Sequence, residues 1–344
     1  MMLNFCRRQI YLFFSIIALF GCQRSERVDV SQIDLEINIE RFDQALDSLN
    51  LTNIPDKNER WKRQYGAFYY DYMRFMLEAG DPDDTASLIA VLSEVIQTPD
   101  YAALSQAVQS AYPTMTDYEK ELTDAFKHIV YYFPDTNVPR FISFMSGFGV
   151  QTPIGEDYVG IGLDMFLGAD SEFYPALRGS IPYYVSRRFT PDNVVPRVVE
   201  AFAREELFPY TDAESHLLDQ MVHHGKILYF MDRVLPGLPD SLKIGYTTAQ
   251  MQWARNYERD IWAWFLSEEL LYDYDFHRIQ KHLGEAPFTP ELGENNESAP
   301  KLGVFLGWNI VRQYMDRNPD VTLPQLMAMD NGQAILDGSR YRGR

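Results

Sequence analysis

Cysteine is nearly missing from this chain. Two occur in 344 residues, Cys6 and Cys22, so no disulfide framework can hold a fold together. Long apolar runs are equally scarce. One stands out, Ile10 to Phe20 (IYLFFSIIALF), broken only by Ser15. At ~1.5 Å of rise per residue, a helix needs about 20 apolar residues to cross a bilayer core, and this run falls short. Positive charge is in deficit: 31 Lys and Arg face 49 Asp and Glu, a formal net charge of −18. That balance argues against nucleic-acid binding, which needs a basic footprint. It also disfavours adsorption to anionic lipid headgroups. The short signatures of familiar chemistry are missing too. There is no H-E-x-x-H pair, no G-x-S-x-G elbow and no P-loop. Gly147-Phe148-Gly149 and Gly160-Ile161-Gly162 are G-x-G pieces without the third glycine and helix of a dinucleotide site.

What the N-terminus does have is a three-part pattern. Arg7 and Arg8 precede the apolar run, which ends Leu19-Phe20-Gly21-Cys22 and turns polar at once (Gln23-Arg24-Ser25-Glu26-Arg27). This is the order of a secretory signal, and its end resembles the bacterial lipobox, with Phe20 bulkier than the usual occupant. The expectation is a signal peptide over 1–21, a lipid-modified (palmitate-bearing) Cys22, a tether over 22–31 and a single domain over 32–344. Removing 1–21 takes away Arg7, Arg8 and no acid, so the mature chain is more acidic by two charges. It keeps one thiol, Cys22, whose acylation would leave no cysteine nucleophile. Acyl chains hold a protein to a bilayer through buried methylenes, and stable anchoring takes more than one.

The remainder is rich in core material, 46% apolar and 14% aromatic, with 22 Tyr and 22 Phe. Ile33, Leu35, Ile37 and Ile39 alternate with polar residues, a strand signal. Residues 141–148 and 158–166 are β-like and punctuated by glycine. Helical patterns cover 56–79, 84–96 and 99–110. Thr116 with Glu119 opens one to 132 as a capping box, and Pro191 begins one to 207. Thr211 with Glu214 opens another to 234, and Thr247 with Gln250 a long one to 271. Helices over 300–317, 323–329 and 331–337 finish the chain. The class is α+β: a predominantly helical single domain with a small, mostly antiparallel sheet.

Candidate chemistry is thin. His216, Asp219 and His223 have the spacing to share a helix face and could ligate a metal; His128, His224, His277 and His282 have no such pattern. Glu258 sits among Met251, Ala254, Ile261 and Phe265, where it is either a buried base or a carboxylate hydrogen-bonded to a Tyr, Trp or Arg. The paired acids Glu205-Glu206 and Glu268-Glu269 point apart on a helix. Gly303 and Gly307 are spaced for close helix packing.

Several segments resemble the gliding-motility lipoprotein GldB family of Bacteroidetes. They are Arg41-Phe42-Asp43, Gly162-Leu163-Asp164-Met165-Phe166-Leu167-Gly168 with Phe173-Tyr174-Pro175, and Leu218 to Met221 leading into Gly225-Lys226-Ile227-Leu228-Tyr229. Later come Lys243 to Thr247, Asn256-Tyr257-Glu258 before Ile261-Trp262, Ala286-Pro287-Phe288, and Gly303 to Trp308 with Ile310, Val311 and Tyr314. The resemblance implies a lipid-anchored component of the gliding machinery in the cell envelope, facing the periplasm or exterior, whose partners are the bilayer and other envelope proteins. The family is also distantly similar to zincin-like metallopeptidase domains. In that comparison residues 198–206 (VVEAFAREE) stand where the zinc motif belongs, and they hold Glu200 without a histidine. The resemblance therefore implies a degenerate zincin-like fold with no catalytic residues, no metal and no cofactor. Two other readings stay open. One is a metal-dependent hydrolase using His216, Asp219 and His223 with Glu258 as base. The other is an envelope glycan- or peptide-binding lipoprotein using exposed aromatics.

Overall fold

The computed structural model describes residues 28–210, 215–292 and 297–343. The signal segment, Cys22, and the capping box of Thr211 and Glu214 lie outside the described residues. Three strands form the sheet: β1 (Ile39–Arg41), β2 (Arg140–Phe144) and β3 (Tyr158–Gly162), in the order β1-β2-β3. Both pairings are parallel, Ile39 opposite Phe141 and Phe141 opposite Val159. The mostly antiparallel sheet expected from the sequence is thus corrected. Parallel strands need a crossover of about a dozen residues. Between β1 and β2 that crossover is a run of helices. Between β2 and β3 it is the segment 145–157, which returns along the free edge of β3. Its backbone bonds there (Gly162 N to Gln151 O, Gly160 N to Pro153 O) and the Ile154–Val159 bridge are the antiparallel part of this sheet.

The first strand is shorter than its alternation suggested. Ile37 N donates to Thr123 Oγ1 and Ile39 N to Glu119 Oε1, at 3.0 and 2.9 Å. Both acceptors belong to the Thr116–Tyr132 helix. The side chains of a helix therefore satisfy backbone donors that a neighbouring strand would otherwise take. Glu119 is spent on β1, so the expected capping box with Thr116 does not form; the helix is entered at Met115 with no side-chain cap.

Helices supply the rest of the body, and local chemistry sets their ends. Residues 56–79 divide into Ile54–Tyr65, Ala67–Asp71 and a wide π-type turn, Tyr72–Met76, because Gly66 (φ 54°) leaves the helical region. Thr247 and Gln250 form the predicted capping box, but the long helix breaks at Tyr257 into Thr248–Asn256 and Glu258–Ser267. The Leu217–Val234 and Leu302–Arg317 helices pack most closely of all. From Leu302 to Val311 every residue of the latter is buried, as befits a helix that is apolar all round. Their backbones touch at two glycines. A Cβ on Gly225 would overlap the Gly307 carbonyl, and one on Gly307 would overlap the Met221 carbonyl. Asp232 ties the pair together, accepting from Trp308 Nε1 (2.9 Å), Arg312 Nε (2.7 Å) and Lys243 Nζ (2.8 Å).

The aromatic excess goes largely into the core. The Phe42 ring meets Trp61, Tyr65, Phe68, Tyr69 and Tyr72, all edge-on at 4.9–5.9 Å. Such contacts add to the burial of rings that already remove 150–250 Å² each from water.

Candidate functional site

The residues marked by their spacing do not assemble into one centre. His216 is the N-cap of the Leu217–Val234 helix and not a member of its face. Its Nδ1 lies 3.0 Å from Asp219 Oδ2, while Asp219 Oδ1 accepts from Gly332 N. His223 instead packs against Tyr210, ring centroids 4.4 Å apart and tilted by 40°, and lines a cavity of about 630 Å³ with Asp219, Val222, Lys226 and Met329. Among the described residues no group of three His, Cys, Asp or Glu side chains could hold a metal. Glu258 is buried and accepts from Tyr341 Oη at 2.7 Å. This is the structural alternative for that carboxylate: it pins the C-terminal segment to the start of the Glu258–Ser267 helix. The exposed Tyr272 and Tyr274 meet the His216 ring edge-on.

Two acids from the family-like segments close off the carboxyl edge of the sheet. In open parallel sheets that edge is where ligands bind. Here it is filled. Asp43, fully buried after β1, accepts from Arg41, Ser143 Oγ (2.6 Å) and Gln109 Nε2 (3.0 Å). Asp164, fully buried after β3, accepts from Ser146 N (2.8 Å), Ser146 Oγ (3.0 Å) and Phe148 N (2.7 Å). The Ser146–Gly149 turn wraps its carboxylate, with Gly147 and Phe148 both at positive φ. Burial pushes the Asp164 carboxyl up, and the donors from Ser146 and Phe148 pull against it. The first G-x-G piece is thus a carboxylate-binding turn inside the fold. Sequence spacing could not show this, since the partner lies across the sheet.

The charged cluster that spacing missed centres on Glu200. It forms where the Val194–Phe202 helix runs into the wide turn Ala203–Leu207 and faces His224. Glu200 Oε2 accepts from Arg197 Nη1 (2.7 Å) and Oε1 from Arg204 Nε (2.9 Å). Arg204 Nη1 then meets His224 Nδ1 at 2.9 Å. Burial alone would raise the Glu200 carboxyl. The charges of Arg197 and Arg204, with Arg188 and Lys301 behind them, outweigh it and hold the group well below the usual carboxylate range. Burial, with Arg204 beside it, drives His224 far below its ordinary value, so the imidazole is neutral. A second carboxylate, Glu285, takes Lys301 Nζ (2.6 Å) and Arg188 Nη1 (2.5 Å) on the same oxygen. Lys301 also donates to Ile244 O (2.6 Å), and burial brings its ammonium down to about 8. The Glu200 signal was in the sequence only as the i−3 and i+4 arginines around it; His224, Glu285 and Lys301 are distant in the chain.

Chemically, this is an ionic site, two carboxylates held among guanidinium and ammonium groups. A zincin needs a free glutamate to activate a metal-bound water and two histidines to hold the metal. Both oxygens of Glu200 are committed to guanidinium groups.

Neither a curated protein nor a solved structure matches the chain. A family model does, that of gliding motility protein GldB, over residues 23–343. That match spans both the carboxyl edge of the sheet and the Glu200 cluster, and the chain belongs to the GldB family.

Proposed function

We propose that the protein is a non-catalytic lipoprotein of the gliding machinery, held to a membrane by acylated Cys22 and acting by binding other envelope proteins. The observation that carries this reading is the state of Glu200. Its two oxygens are closed by Arg197 and Arg204, and the alternative metal ligands His216 and His223 are engaged apart from each other. Family membership supports the place in motility and the lipoprotein character. Among the described residues no helix is long and apolar enough to cross a membrane, which is compatible with attachment by acyl chains.

The test is complementation of a deletion strain that has lost gliding. The unsubstituted gene is expected to restore movement, and Cys22→Ala to fail. His216→Ala, His223→Ala and Glu258→Gln are expected to restore it as far as their folded protein accumulates. Normal gliding by the Cys22→Ala strain would remove the anchoring half of the proposal. Loss of gliding in His223→Ala at normal protein levels, with stoichiometric zinc in the purified wild-type chain, would remove the non-catalytic half.

A further inference from the structure

The Glu200 cluster carries more positive charge than its own carboxylates neutralise. Arg187 joins it, donating to Gly245 O (2.9 Å) and Gln250 Oε1 (3.2 Å). Burial, with Arg188 beside it, lowers the proton affinity of its guanidinium, and Glu285 works against that shift. The charged groups facing one another are therefore Arg187, Arg188, Arg197, Arg204 and Lys301 against Glu200 and Glu285. His223 and His224 border them as neutral rings. An unneutralised buried cation is costly. Here a surplus of positive charge is collected in a chain whose formal charge is −18.

Donors remain open within the cluster. Arg188 Nε is buried and has no hydrogen-bond partner among the described residues. Arg188 lies flat against Gly245, whose φ of +78° and missing Cβ leave room for the guanidinium. Arg197 donates only through Nη1 among the described residues, and its side chain is 32% exposed; Arg204, in the wide turn that follows, is 28% exposed. The cluster is thus closed at its floor by Lys301 and Arg188 and open at its rim.

We infer that the Arg188, Arg197, Arg204 and Lys301 cluster is a binding site for a phosphate group. A phosphate carries nearly two charges and several acceptors, so it meets the surplus and the free donors better than a carboxylate does. Guanidinium forks suit its geometry. The net negative charge of the chain disfavours extended polyanions, which leaves a small or terminal phosphate as the ligand class. The same chemistry is offered by free phosphate and by a lipid headgroup.

The experiment uses the full chain in detergent. Melting is followed while inorganic phosphate is raised against potassium chloride of equal ionic strength. A rise in Tm that grows with the logarithm of phosphate concentration, roughly 5 °C at about 100 times Kd, is expected. Arg197→Gln removes one of the two guanidiniums on Glu200, so it is expected to melt lower in chloride and to lose the phosphate response. A rise that stays linear in phosphate, or is matched by chloride, overturns the proposal, as does one that survives in Arg197→Gln. If that variant does not fold, equilibrium dialysis of the unsubstituted chain with radiolabelled phosphate decides. Retention of about one equivalent supports the site, and none overturns it. Displacement of the label by a short-chain phosphatidic acid, but not by the matching phosphatidylcholine, assigns the site to a headgroup. Retention of the label against both lipids assigns it to free phosphate.

Discussion

At the scale of single residues, the histidines hold the largest pH lever. His223 and His282 are each pushed down to about 4, chiefly by burial, and His224 lower still for the same reason. His282 packs between Trp264 and Phe265, with Nδ1 unpartnered among the described residues. In the unfolded chain such groups take a proton near 6.5. Between about pH 6.5 and pH 4 the unfolded state therefore binds more protons than the folded one, and stability falls as pH falls. Each fully buried histidine contributes up to about 1.4 kcal/mol per pH unit in that window; His223, which is partly open, contributes less. Glu200 acts in the same direction at lower pH, since its depressed carboxyl stabilises the fold above the unfolded carboxylate range and ceases to as it protonates. Urea midpoints measured from pH 7 to pH 4 should show stability already declining below pH 6.5. His282→Leu should flatten that slope by about 1 kcal/mol per pH unit; an unchanged slope would mean that His282 is charged in the folded protein. Little of this was readable in the sequence. Glu258 could be placed on an apolar face, and one of its two foreseen roles, a hydrogen bond to a Tyr, is what the fold provides. Asp43, Asp164 and Glu200 could not be sorted. Asp43 and Asp164 have partners on or just after β2, a hundred residues away for Ser143 and Asp43, and the arginines beside Glu200 did not by themselves reveal His224, which is twenty residues from Arg204.

At the scale of elements, periodicity located most helices and misjudged where they stop. Helix existence is written locally, in apolar spacing and caps, and the Thr247–Gln250 box was both predicted and present. Strand pairing is a long-range choice, so an alternation at 33–39 could not reveal that Thr123 and Glu119 would take its backbone donors. Nor could glycine punctuation distinguish a parallel sheet with a returning loop from an antiparallel one. The glycines at 303 and 307 were read correctly as a close-packing surface, and their two positions differ in a testable way. Alanine is about 1 kcal/mol better than glycine inside a helix, so Gly307→Ala would stabilise if space allowed. It does not: the new methyl would overlap the carbonyl and Cα of Met221, which are backbone and cannot rotate away. At Gly303 the nearest groups are the His282 carbonyl at 3.0 Å and the side chains of Leu283 and Met221 at 3.1 and 3.2 Å, two of them able to shift. Gly307→Ala should lower stability by about 2 kcal/mol or more, and Gly303→Ala by clearly less, in urea denaturation. Equal effects would show that the helix crossing adjusts as a whole.

At the scale of the whole molecule, charge and anchoring have to be considered together. A surface carrying a formal charge of −18 is repelled by anionic headgroups. The phosphate-binding cluster, by our inference, offers local attraction, yet Glu200 and Glu285 neutralise part of its charge and the chain as a whole is strongly acidic. Attraction of that kind is screened within about 8 Å at physiological ionic strength. Membrane residence should therefore rest on acyl chains, whose contribution grows by about 0.8 kcal/mol per buried methylene and does not respond to salt. High-salt washing of membranes should leave the wild-type protein in the pellet. Blocking acylation with Cys22→Ser should weaken retention once the signal has been processed, shifting mature protein to the soluble fraction even at low salt. If salt alone strips the wild-type protein, the electrostatic site is the true attachment and the acyl anchor is secondary. If the Cys22→Ser protein stays in the pellet until salt is added, a protein or lipid partner holds it. In that case Arg197→Gln in the same background should release it, because that arginine stands at the open rim of the cluster.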